Sequence, residues 1–155
     1  MMLQSWGLKL KDRQSLEFIA KLIAKEWVHT MERLFLKESK STPFVDFDAD
    51  KDILIIKGQA YPEDAFLFFK PLLEWLKEYL VGKVGQGVEI EVTLTYTNTS
   101  SSKCIMMILD LLEEAAERNV NVKLKWICNE HNEYEQECAE EFKEDYTFPF
   151  VIILI

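Results

Sequence analysis

The sequence predicts an α/β fold, a mixed sheet covered by helices, and three observations carry that prediction. Two stretches, "VEIEVTLTY" from Val88 and "VNVKLKWIC" from Val120, alternate apolar and polar residues with the period of a strand. Between and around them apolar residues recur at helical spacing, as Ile105, Ile108, Leu109 and Leu112 do. From residue 43 the order is β-β-α-β-α-β-α-β, that of a sheet whose parallel neighbours are joined by right-handed helical crossovers.

The elements follow in order. Ser15 to Leu36 reads as a helix with Leu16, Ile19, Leu22, Ile23, Trp27, Met31 and Leu34 along one face and Lys21, Lys25 and Glu26 on the other. Phe18 and Trp27 on a mildly basic helix raise a membrane surface, but packing on the domain is the expectation. Phe44 to Phe47 is a strand, Asp48–Lys51 a turn, and the apolar Ile53 to Ile56 suits a central strand. A helix then starts at Pro62 with Glu63 and Asp64 in its first turn, where negative charge suits the dipole. Its buried stripe is Phe66, Phe69, Leu72, Leu73, Leu76 and Leu80, and Pro71 predicts a kink or a break. "VGKVGQG" is a loop, Ser101 to Arg118 a helix, "EYEQECAEEFKED" a short acidic helix, and "FPFVIILI" a last strand.

Composition narrows the function. The 155 residues suffice for one domain with a real core, and 48% apolar against 29% charged residues is a globular profile. A formal charge of -9 argues against nucleic acid, whose binding rests on Lys and Arg. Residues 1–40 hold eight Lys/Arg against five Asp/Glu, and residues 41–155 hold ten against twenty-two. Three cysteines without paired spacing, no apolar run long enough to span a membrane and no signal-like N-terminus lead to a cytoplasmic expectation.

Candidate chemistry is sparse. Asp46, Asp48 and Asp50 have the one-three-five spacing of a calcium loop, yet Lys51 and Lys57 stand where glycine and glutamate are required, so they read as solvent-facing carboxylates beside a turn. Cys128, His131 and Cys138 lack a fourth zinc ligand, and "GKVGQG" lacks the Gly-Lys-Ser/Thr ending of a phosphate loop. Neither His29 nor His131 lies near a serine cluster. No metal, cofactor or catalytic residue is expected.

The remaining feature is "YTNTSSSK", Tyr96 to Lys103, with four consecutive hydroxyls, Thr99 to Ser102, before an amphipathic helix. One hydroxyl suffices as an N-cap. A phosphate there would gain from the free N–H groups and positive end of the helix, and would add about -1.5 to -2 charge. A helix cap and a chemical switch are both open on these residues alone.

"STPFVDFD" from Ser41, "GQAYPEDAFLFFKPLLEWLKEYL" from Gly58 and above all "YTNTSSSK" resemble the SiaC family of bacterial regulatory phosphoproteins, over Met31 to Pro149. The resemblance implies a STAS-like fold, similar to the anti-sigma-factor antagonist SpoIIAA, with an extra N-terminal helix here. It implies a non-enzymatic partner switch. A serine/threonine kinase of histidine-kinase-like ATPase fold phosphorylates the protein, a PP2C-type phosphatase reverses this, and the unmodified form binds and activates a diguanylate cyclase in cyclic-di-GMP and biofilm control. By the motif Thr99 is the acceptor, with Ser100 and Ser101 next in line. Asn98 shapes the turn, Ser100–Ser102 cap the helix and hold the phosphate, Lys103 offsets its charge, and Tyr96 packs under the loop. One departure is Thr97, where the family carries an aromatic residue. The other is residues 1–30, either an added helix or a start assigned too far upstream, before a domain of residues 31–155. An anti-sigma-factor antagonist with the same switch is the alternative function.

Overall fold

The computed structural model describes residues 12–155, and for 24–30 the backbone alone. The chain runs α1 (Arg13–Thr30), β1 (Leu34–Leu36), β2 (Phe44–Asp48), β3 (Ile53–Ala60), α2 (Ala65–Val81), β4 (Gly87–Thr97), α3 (Thr99–Glu117), β5 (Asn121–Cys128), α4 (Glu133–Glu144) and β6 (Phe150–Leu154). The six strands form one sheet in sequence order. β1, β2 and β3 are antiparallel neighbours, and β3 to β6 are parallel. This is the mixed sheet that the sequence order predicts.

Each parallel crossover moves one strand along, and crossovers of one hand put α2, α3 and α4 on the same face. Alternation agrees: Val88, Ile90, Val92 and Leu94 of β4 are buried while Glu89, Glu91, Thr93 and Thr95 on the other face are not. That open face carries the Lys125–Glu89 ion pair at 2.6 Å. The core lies between sheet and helices and includes Phe47, Phe69, Leu76, Ile90, Leu109 and Trp126. Trp126 stacks between Phe142 at 5.0 Å and Phe150 at 5.6 Å, so α4 and β6 share one aromatic anchor.

Several sequence expectations are corrected. The first helix ends at Thr30, and Leu34–Leu36 is the edge strand β1. Trp75 Nε1–H donates to the Glu32 carbonyl at 2.7 Å and Arg33 clasps Asp46 with two bonds of 2.7 and 2.8 Å, which turns residues 32–36 into the sheet. Asp46 and Asp48 are therefore buried rather than solvent-facing. The Arg33 hydrogen bond holds the Asp46 carboxyl below its usual range, against the opposing pull of burial.

Leu16, Phe18, Leu22 and Ile23 of α1 are about half exposed, so this part of the helix is not packed on the domain; the side chain of Trp27 lies outside the described residues. The second helix begins at Ala65 with Asp64 as its cap, accepting from the Leu67 N–H, so Pro62 and Glu63 precede it. Pro71 neither breaks nor ends it. Pro71 and Leu67, whose carbonyl loses its helical donor, are both exposed, and water can satisfy the freed oxygen. Phe66 is exposed, and Trp75 and Tyr79 join the buried stripe in its place.

Candidate functional site

The parallel strands β3, β4 and β5 all end at one edge of the sheet, and α2, α3 and α4 start there. "TNTSSSK" lies in the middle of that edge. Asn98 is the N-cap of α3: its Oδ1 accepts from the Ser101 N–H at 2.9 Å, and its carbonyl accepts from the Ser102 N–H at 2.9 Å. Its own N–H donates to the Ala60 carbonyl at 3.1 Å, fastening the turn to the end of β3. The helix thus starts at Thr99, earlier than the expected Ser101. The four hydroxyls form its first turn and do not cap it.

Their surroundings differ sharply. Thr99 and Ser100 are exposed, Ser102 is half-buried, and Ser101 is fully buried with no hydrogen-bond partner for its Oγ among the described residues. Ser102 Oγ and Thr97 Oγ1 are hydrogen-bonded at 2.7 Å, an interaction that an aromatic residue at 97 could not make. The threonine departure therefore ties strand to helix. Of the three hydroxyls considered for modification, Thr99 and Ser100 are within reach of an enzyme and Ser101 is not.

The two accessible hydroxyls open on different grooves. Thr99 and Ser102 line a groove of about 400 Å³ between α3 and α4, with Met106, Tyr134, Glu137, Glu141 and Asp145 among its walls. Ser100 and Lys103 line the groove between α3 and the start of α2, with Glu63, Asp64, Phe66, Leu67 and Met107. Tyr96 does not pack under the loop. It is 44% exposed and meets Tyr61 edge-on at 5.7 Å.

Large side chains thus stand around the start of α3 with much of their surface in water: Tyr96, Phe66, Leu67, Met106, Met107 and Tyr134. Exposed aromatic and methionine side chains gathered at one place are the composition of a protein interface. Sequence reasoning missed Phe66, Leu67 and the α4 wall. Parallel topology could have found them, because it brings every helix start to the same edge.

The model of the SiaC family regulatory phosphoprotein matches residues 36–155. The chain belongs to the SiaC family. A Pseudomonas aeruginosa (strain UCBPP-PA14) protein described as uncharacterized is 40% identical over 123 residues, 79% of this chain and 96% of the relative. The crystal structure of apo-SiaC from Pseudomonas aeruginosa is similar with a TM-score of 0.74 and 37% identity, covering 79% of this chain and 99% of that one. SiaC in the crystal structure of the diguanylate cyclase SiaD in complex with its activator SiaC, also from Pseudomonas aeruginosa, gives a TM-score of 0.74 at 38% identity and the same coverage. The SiaC domain of this chain has the STAS-like mixed sheet expected of it. Among the described residues, no helix is long and apolar enough to cross a membrane.

Proposed function

We propose that this chain is the phosphorylated switch protein of a partner-switching pathway, without catalytic activity of its own. Thr99 accepts the phosphate from a serine/threonine kinase of histidine-kinase-like fold, and a PP2C-type phosphatase removes it. The unmodified form binds and activates a diguanylate cyclase in the cytoplasm. Residues 31–155 carry this function and α1 is an appendage before them.

The single observation that carries the reading is the placement of Thr99: an exposed hydroxyl at the first position of α3, in the middle of a ring of exposed aromatic and methionine side chains. A docked partner would cover that ring and desolvate its centre. An unmodified threonine loses little there. A phosphate would have to shed its water or hold the partner off, since burying an unpaired charge is far costlier than burying a hydroxyl. The complex of SiaC with the cyclase SiaD favours a cyclase over a transcription partner.

Thr99→Ala is expected to retain the cognate cyclase in a pull-down and to activate it without response to the kinase. The Thr99-phosphorylated protein is expected to bind at least tenfold more weakly. Equal binding of the phosphorylated and unmodified proteins would refute the reading.

A further inference from the structure

α4 stands apart from α2 and α3, the other two helices on the sheet, in two ways. It carries six glutamates against one lysine, and it is the most lightly anchored of the three. It buries only Glu135 and Ala139, where α2 buries eight residues and α3 seven. Phe142 on Trp126 supplies its main further contact with the core.

Glu137, Glu141 and Asp145 are spaced four residues apart, on the side of α4 that forms the wall of the Thr99 groove. All three are exposed, and among the described residues none has an ion-pair partner. Like charges at that spacing weaken a helix by themselves. Lys103, the cation nearest to Thr99 in sequence, lines the other groove, on the Ser100 side.

We infer that α4 is the element that registers the modification. A phosphate on Thr99 shares one groove with the Glu137–Glu141–Asp145 edge, and their repulsion loosens α4 from the sheet. This rests on Thr99 as the acceptor. It adds a second action of the phosphate, a change in the conformation of the domain beside the obstruction of a partner at the ring. The positive end of α3 favours the phosphate, so α3 is not the helix that gives way. Of the three helices on the sheet, the strain falls on the one with the fewest buried groups, which opens first. A partner that also touches α4 would be released from both sides of the groove.

Hydrogen exchange on the full chain at low salt tests this. Thr99→Glu is expected to raise exchange of the α4 amides about threefold, and authentic phosphothreonine at 99 about tenfold, with α2 unchanged and α3 unchanged or slower. In a Glu137→Gln/Glu141→Gln/Asp145→Asn background the same changes at 99 are expected to have no effect on α4. Ser100→Glu, which faces the other groove, is expected to leave α4 unchanged in either background. Equal α4 exchange with and without charge at 99 would overturn the inference, as would an increase that survives in the triply substituted protein or appears equally with Ser100→Glu. Absence of phosphate on Thr99 in cells would remove the proposed function but leave this coupling measurable, so the two failures are distinguishable.

Discussion

At the scale of single residues, the start of α3 separates roles that the sequence leaves merged. Asn98 holds the helix end with its side chain and carbonyl, so Asn98→Ala is expected to cost about 1 kcal/mol in a denaturant titration, with most of it restored by Asn98→Ser. Ser101 presents the opposite case. Its hydroxyl is buried without a partner, so Ser101→Ala is expected to be neutral or to stabilise by up to about 1 kcal/mol, while Ser101→Glu is expected to unfold the domain. A kinase site at 101 would reverse that ranking of tolerance.

Arg33 and Asp46 give a pH signature at the same scale. The folded Asp46 carboxyl titrates below its usual value, so its stabilisation is present above about pH 4 and is lost as pH falls through the lowered folded value. Asp46→Asn is therefore expected to lower the urea midpoint at pH 7 and to flatten the acid limb of the stability profile. An acid limb as steep as that of the unsubstituted protein would show that other carboxylates control it.

At the scale of elements, long periodic stretches were legible and short or coupled ones were not. β4 and β5 lie where strict alternation places them, and α3 buries Ile105, Ile108, Leu109 and Leu112 as their spacing requires. β1 was hidden because Met31 and Leu34 continue the helical phase of α1, and three residues are too few to show a period of two. What ends the helix is a pair of long-range bonds, from Trp75 to Glu32 and from Arg33 to Asp46, which no local pattern contains. The reading of Asp46 and Asp48 as solvent-facing failed for the same reason, since Arg33 lies thirteen residues before Asp46, while Asp50 is exposed as expected.

Pro71 shows the limit of a propensity rule. Its missing donor faces water, so the helix continues through it, yet the hydrogen bond is still absent. Pro71→Ala is expected to stabilise the protein by about 1 kcal/mol, the restored bond outweighing the freedom returned to the unfolded chain. A loss of stability would mean that the ring packs in a way alanine cannot replace.

At the scale of the whole molecule, the SiaC domain and α1 are expected to be separable, since Leu16, Phe18, Leu22 and Ile23 of α1 are about half exposed. A protein starting at Met31 is expected to keep the melting temperature of the full chain within about 2 °C, and a larger drop would show that α1 contributes to the domain fold. The candidate site was half legible at this scale. Its centre, "NTSSSK", is local and readable, whereas its rim comes from α2 and α4, which lie about 30 residues away in either direction and meet α3 only through the parallel topology.

The central claim is that Thr99 is the chemical switch of this fold. Phosphopeptide mapping by mass spectrometry, on protein isolated from its own cells with phosphatase activity blocked, tests it most directly. The account predicts phosphate on Thr99, with Ser101 unmodified. Phosphate confined to another residue, or an unmodified Tyr96–Lys103 segment under every growth condition, would contradict it and leave the four hydroxyls as the first turn of a helix and nothing more.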